Sequence, residues 1–389
     1  MDLAFSPADD AFRAEARAWL TAHVPTAPLP SLETKDGFAA HRAWERALFA
    51  DRWSVVSWPA EYGGRGASVL QWLIFEEEYY AAGAPGRVSQ NGISLLAPTL
   101  FEHGTDEQRA RVLPAMASGE VIWAQAWSEP ESGSDLASLR STAVRTDGGW
   151  RLSGQKTWSS RAAFADRAFG LFRSGPDADK PHQRLTYLMF PLDAEGVTVR
   201  PIGRLDGKPA FAELFLDDVF VPDRDVIGAP GQGWRVAMST TGNERGLTLR
   251  SPGRFTAAAG RLTELWRERA DPSDTALRDR VADAVIGARA YRLYTYANAS
   301  RIAAGGSLGA ESSLNKVFWS ELDIALHETA LDVLGPYGEL SDEATEAPAQ
   351  GSWAEGHTFS LAGPIYAGTN EIQRDIIAER LLGLPKGRR

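Results

Sequence analysis

From about Val121 the chain exchanges one hydrophobic period for another, and this switch limits its fold more than any single motif does. The stretches "VIWAQAW", "WRLSGQKTW", "ADRAFGLFR", "RLTYLMFPL", "GVTVRPI" and "AELFLDDVFVP" are short and rich in β-branched and aromatic residues. Gly, Asp and Pro separate them, which predicts an antiparallel barrel or sandwich. Pro222 and "GAPGQG" close the block near residue 231. Helical periodicity precedes and follows it. Helix, then strand, then helix is not the alternation that builds a parallel nucleotide-binding sheet.

The flanking segments carry clear helix signals. In "SPADDAFRAEARAWL", Ser6 suits an N-cap, Pro7 the first helical position, and Asp9 and Asp10 the first turn. Phe12, Ala16, Trp19 and Leu20 form its apolar stripe. "SVLQWLIFEEEYYAAG" predicts another helix, and Thr105 and Gln108 open a third with capping-box spacing. After the β block, helices are expected over 231–270, 275–305, 310–335 and 369–382, interrupted by the polar loop "DVLGPYGELSDEATEAPAQGSWAEG". The expected domains are a helical 1–120, a β-domain 121–230 and a helical bundle 231–389.

Charge and composition exclude several functions. With 41 basic against 51 acidic residues the net charge is −10, which argues against a general nucleic-acid or anionic-membrane binder. A local basic pocket can still hold a phosphate. There is no cysteine, so disulfides and thiolate catalysis are excluded. The 6 histidines form no HExxH pair, and no metal is expected. The start "MDLAFSPADD" lacks a signal-peptide layout, and no apolar run approaches a membrane-spanning length. A soluble cytoplasmic protein is expected.

Three stretches carry candidate chemistry. In "QAWSEPESGSDLASLRSTAVR" a strand runs into a loop crowded with Ser128, Ser132, Gly133 and Ser134. A polar hairpin turn has this composition, and so does a loop around the polar edge of a cofactor. "GQKTWSS" sets Trp158 beside Ser159 and Ser160, which suits an aromatic ring system with a polar rim. In a chain with 13 tryptophans, a core tryptophan on a strand fits as well. "GPIYAGTNEIQRDIIAERLLGLP", Gly363 to Pro385, opens an amphipathic helix with a Gly-Thr turn of the kind that offers N–H groups and a hydroxyl to a ligand. No Walker motif or Rossmann fingerprint is present.

Taken in order, "WPAEYGGRG", "EPESGSD", "LSGQKTW", "LDDVFVPDRDVIGAPGQGW" and "IYAGTNEIQRDIIAERLLGLP" resemble the acyl-CoA dehydrogenase family of flavoproteins, over about residues 5–385. The resemblance implies an N-terminal helical domain, a middle β-domain and a C-terminal four-helix bundle. It also implies FAD as cofactor and oxidation of the Cα–Cβ bond of an acyl thioester, carried by coenzyme A or an acyl-carrier protein. Electrons would leave through an electron-transferring flavoprotein, and the assembly would be a homo-oligomer, dimer or tetramer, or a heteromer.

The resemblance assigns residues. Gln125, Trp127, Ser128 and Gly133 fall on the stretch that meets the flavin, and Ser134 matches a serine that reaches cofactor and substrate. Trp158, Ser159 and Ser160 fall on the flavin's other edge, while Thr369 and Glu371 match FAD contacts at the head of the last helix. Tyr366 and Gly368 are implied on the substrate side. Two features depart from the family. No "RxxFG" stretch, which reaches a neighbouring subunit's FAD, occurs between Phe255 and Arg289. The usual "QxxGGxG" is reduced to "DVLGPYG", with Asp332 in place of glutamine.

The chemistry needs a carboxylate to take the α-proton while hydride leaves the β-carbon. Many members carry it just before the Gly-Thr of the last helix, and here that residue is Ala367. A minority carry it on an earlier helix, directly before an arginine. "TTGNERGLTLR" matches that arrangement, with Glu244 as the implied base and Arg245 as the implied positive neighbour on the substrate side. Ala367 would leave room for a bulky acyl chain, its backbone N–H still able to donate to the thioester oxygen. Two alternatives stand beside this one. The chain could be a non-catalytic or co-catalytic subunit of a heteromeric dehydrogenase. It could also be a flavin-dependent monooxygenase or oxidase, although such relatives tend to lose the "EPxxGSD" and "GLP" elements kept here.

Overall fold

The computed structural model describes residues 5–175, 181–245, 251–306, 308–342 and 344–387, excluding the side chains of 181 and 241–245. Five helices come first: α1 (Pro7–His23), α2 (Lys35–Ala50), α3 (Val69–Ala81), α4 (Ala97–His103) and α5 (Asp106–Ala117). The capping boxes do what their spacing predicts. Asp9 N–H donates to Ser6 Oγ at 3.2 Å, and Gln108 N–H to Thr105 Oγ1 at 3.2 Å. A third box joins Ser68 and Gln71 on α3. Such caps contribute about 1 kcal/mol each.

Eight strands follow: β1 (Trp123–Ala126), β2 (Thr142–Thr146), β3 (Gly149–Ser160), β4 (Arg167–Arg173), β5 (Leu185–Pro191), β6 (Val197–Ile202), β7 (Phe211–Pro222) and β8 (Val226–Ile227). The last part is helical: α6 (Gly233–Arg245), α7 (Pro252–Arg269), α8 (Thr275–Ala303), α9 (Ser312–Leu334), α10 (Ser352–Ser360) and α11 (Asn370–Ile376). Among the described residues no helix is long and apolar enough to cross a membrane.

The strands form one sheet in the order β6-β7-β3-β2-β4-β5-β8, with β1 paired to β4. This corrects the expected barrel, because the sheet is not closed. Nor is it wholly antiparallel: β1 runs parallel to β4, in register Trp123↔Arg167 to Ala126↔Gly170. Alternating hydrophobicity marks which face of a strand is buried, but it specifies neither partner nor direction. The β2–β3 hairpin intervenes between β1 and β4, and β4 then arrives beside β1 in the same sense.

The chain divides into two compact units. One comprises Pro25–Gly66 and Pro85–Glu244, and so holds the sheet with α2, α4, α5 and α6. Its core includes Trp150, Leu152, Phe172, Leu188, Phe190 and Leu214, all buried. The other comprises Met1–Val24, Ala67–Ala84 and Arg245–Arg389. In it α7 packs against α8 and α9, and α3 against α7 and α8, around Phe255, Leu262, Tyr291 and Trp319. Gly253 lets α7 begin close to α3, since a Cβ there would lie 2.8 Å from the Glu76 carbonyl oxygen.

Two helix expectations change. The segment 231–270 is two helices, not one, with 246–250 outside the described residues. The polar loop after α9 contains α10, whose buried Trp353 anchors a segment too short and glycine-broken to show a helical period.

Candidate active site

In β3 the even-numbered residues Trp150, Leu152 and Lys156 face inward. Continued alternation would bury Trp158 as well. Instead the pairing with β7 steps from Lys156↔Leu214 to Ser159↔Ala212, three residues against two, which is a β-bulge. The bulge reverses the phase. Trp158 adopts a left-handed φ of 58° and is 60% exposed, while Ser159 is fully buried. A non-glycine residue in that region is strained and persists only when its surroundings enforce it. The Trp158 ring makes a T-shaped contact with Phe211, 5.8 Å between centroids.

The expected flavin loop lies against this bulge. Thr157 N–H donates to the Ser128 carbonyl at 2.9 Å, joining the two stretches that the sequence assigned to one cofactor. Gln125 is half-buried in β1, beside Phe169 of β4. Trp127 is buried against Tyr187, and Ser128 is half-buried. Gly133 and Ser134 sit at the exposed tip, with open space around Gly133. The Trp127 indole N–H and the Ser159 hydroxyl are buried and have no hydrogen-bond partner among the described residues. Unsatisfied buried polar groups are uncommon and call for a ligand or water. An exposed indole, a polar loop and unused donors within one neighbourhood fit a flavin, with its apolar face and polar rim.

Behind the loop lies an ion pair that sequence reasoning missed. Lys156, fully buried, donates from Nζ to Glu129 Oε1 at 2.8 Å, to the Leu171 carbonyl at 2.7 Å and to the Trp127 carbonyl at 3.4 Å. Glu129 also accepts from the N–H groups of Arg140 at 2.6 Å and Ser141 at 2.9 Å. Burial pushes the Lys156 ammonium down to about 8, against the pull of Glu129. Burial alone would raise the Glu129 carboxyl, but Lys156 and the Arg140 N–H outweigh it and hold it below its ordinary value. The available signal was a charged residue in the inward phase of a strand.

The C-terminal turn belongs to the other unit. Ala367 is buried with φ 56°, and Gly368 follows at φ 77°, two left-handed residues in succession. Gln373, fully buried, donates from Nε2 to the carbonyls of Ala367 at 3.1 Å and Gly368 at 3.2 Å. Asn370 accepts from Lys316 Nζ at 2.8 Å. Neither Gln373 nor Asn370 was singled out from the sequence. Thr369 caps α11, its hydroxyl accepting from Ile372 N–H at 3.3 Å. Glu371 is exposed; its own backbone N–H, then the Thr369 hydroxyl, hold its carboxyl below the usual range. Tyr366 lies half-buried, 5.9 Å from Trp319 between ring centroids. Glu244 and Arg245 end α6, and their side chains lie outside the described residues.

Asp332, which stands where the family has glutamine, forms an ion pair with Arg280 of its own chain. It is committed locally.

Comparison with known proteins agrees with this layout. Models of the N-terminal, middle and C-terminal domains of acyl-CoA dehydrogenase match residues 6–120, 124–219 and 231–382. The chain is 38% identical over 388 residues to acyl-CoA dehydrogenase IpdE1 of Mycobacterium tuberculosis, covering 96% of this chain and 97% of that one. Among solved structures, the Tcur3481-Tcur3483 steroid ACAD is similar with a TM-score of 0.90 and 28% identity, covering 100% of both chains. The ChsE4-ChsE5 complex from Mycobacterium tuberculosis is similar with a TM-score of 0.84 and 30% identity, again covering 100% of both. The chain therefore belongs to the acyl-CoA dehydrogenase family of FAD-dependent oxidoreductases.

Proposed function

We propose that this flavoenzyme dehydrogenates the α,β-bond of an acyl-CoA whose acyl group is bulky and ring-bearing, of the steroid-derived kind. The observation that carries the reading is the Trp158 bulge, bonded through Thr157 to Ser128 and flanked by unused donors. FAD, when bound there, supplies the hydride acceptor for the β-carbon. Trp127, Ser128, Ser159 and Ser160 would hold its polar rim, and Trp158 would cover its ring. Ser134, at the exposed loop tip, would reach the substrate. Glu244 would take the α-proton, with Arg245 keeping the carboxylate's surroundings positive. Ala367 offers a methyl group where many relatives carry the base, which suits a wide acyl group. Coenzyme A as carrier is supported by the name of IpdE1, and the ring-bearing acyl group by the steroid ACAD. Electrons would pass to an electron-transferring flavoprotein. The test is anaerobic mixing of the purified yellow protein with a panel of acyl-CoAs, from short linear to polycyclic, followed at the flavin absorbance. Reduction by linear substrates only would reject the bulky-substrate reading.

A second reading concerns assembly: the chain works in a heteromer with a related subunit. Both similar structures carry paired names. The absent "RxxFG" stretch and the local pairing of Asp332 with Arg280 support it, because the usual reach to a neighbour's FAD is lost. An exposed apolar face on α8 and α9, including Ile286, Leu293 and Phe318, also suits a subunit interface. Co-purification with a partner from the native host, weighed against the chain expressed alone, decides between homomer and heteromer.

A further inference from the structure

Two ion pairs with buried carboxylates bracket the Trp158 bulge. On one side is Lys156–Glu129. On the other, Arg161 also holds a left-handed φ, 56°, and its Nε and Nη2 donate to Glu33 Oε1 at 3.1 and 2.9 Å. Glu33 is 3% exposed. Within the six residues 156–161, then, two non-glycine residues are left-handed, and a buried or half-buried cation stands at each end.

A buried ion pair gains little net stability, since desolvation offsets much of the attraction. It does select one arrangement. The arrangement at stake is register. If β3 lost its extra residue and paired evenly with β7, every side chain beyond Lys156 would change face. Trp158 would turn inward and Ser159 outward. Neither left-handed residue opposes that relaxation, because regular extended backbone would relieve both.

We propose that Lys156 and Arg161 are positioning residues that pin this bulge and keep Trp158 presented before any ligand arrives. Each holds a different end. Lys156 ties β3 to the carbonyls of Trp127 and Leu171 and, through Glu129, to the closing end of the polar loop at Arg140 and Ser141. Arg161 anchors the residue after Ser160 to Glu33, while its N–H donates to the Ala210 carbonyl at 2.8 Å. Sliding out the bulge would break one set of contacts or the other. This role rests on the flavin reading above.

Arg161→Met and Lys156→Met, each compared with the lysine or arginine exchange, test it by two readouts. In the apoprotein, hydrogen exchange of peptides spanning 155–163 should rise at least tenfold in both methionine variants. FAD affinity, by titration of flavin fluorescence, should fall at least tenfold, with a shifted visible band for the flavin that binds. Arg161→Lys should restore most of the affinity, because it keeps the charge. If Lys156→Met does not fold, Arg161→Met at the more accessible pair carries the test. Wild-type FAD uptake with affinity and exchange unchanged in the folded variants overturns the positioning role alone. No FAD uptake by the wild type overturns the flavin reading and this role with it.

Discussion

Trp158 meets Phe211 edge to face, at 84° and 5.8 Å between ring centroids, and makes this contact from a backbone that disfavours any side chain. The left-handed conformation costs an L-residue about 1–2 kcal/mol. The ring contact returns about 0.5–1.5 kcal/mol. Trp158→Gly should therefore leave the melting temperature of the apoprotein nearly unchanged while weakening FAD binding at least tenfold. Calorimetry on the apoprotein and a flavin titration check the two halves. A large loss of thermal stability would show the indole to be a structural side chain.

Glu244→Gln should abolish flavin reduction by substrate while FAD stays bound. The exchange keeps size and hydrogen bonding but removes the proton acceptor, and a general base contributes roughly 10²-fold or more. Stopped-flow reduction at saturating acyl-CoA gives the number. A rate close to wild type sends the search for the base elsewhere.

Ala367→Glu restores the carboxylate at the commoner position of the family. In the wild-type background it should lower turnover most with bulky substrates. On the reading that both positions face the substrate's α-carbon, a second carboxylate would force the pair to share a proton. In a Glu244→Ala background it should recover measurable reduction of short, unbranched acyl-CoAs. Absence of any recovery, with FAD bound and the fold intact, would reject the view that the two positions substitute for one another.

The Glu129–Lys156 pair makes an acid-side prediction. Glu129 has its folded value lowered, so its contribution is complete above the ordinary carboxylate value and is lost as pH falls through the lower folded one. Lys156→Met removes the cation and leaves burial opposed only by the Arg140 and Ser141 hydrogen bonds, so the Glu129 carboxyl rises from its wild-type folded value. The loss of stability on acidification should then be smaller in the variant, because the unfolded chain no longer takes up an excess proton at Glu129. Melting curves between roughly pH 3 and 7 measure it; superimposable acid limbs would show that Glu129 does not feel Lys156.

The elements were legible where local chemistry decides them. Ser6 and Thr105 cap the helices that they were expected to open, because a cap needs only residues three apart. The strands were visible from alternation, but the parallel seat of β1 beside β4 was not, since pairing is settled by distant residues. The same limit applies at the site. Trp158 and the serines stood out by composition. Lys156 and Glu129 sat inside quoted stretches, yet their partnership spans 27 residues and appears only when β3 passes behind the loop. The exposure of Trp158 was hidden for the opposite reason: its sequence phase points inward, and one extra residue in the pairing reverses it.

Gln373 grips the carbonyl groups of Ala367 and Gly368 from the inside of the protein. A side chain six positions beyond Ala367 thus holds the path of that turn. On the proposed reading of Glu244 as the base, the position of Ala367 is an evolutionary socket. A lineage can withdraw a carboxylate from it, or reinstate one, by single substitutions that leave the scaffold standing. Relocation of a reactive group between helices then needs no intermediate that is misfolded, only one that is briefly inactive or doubly equipped.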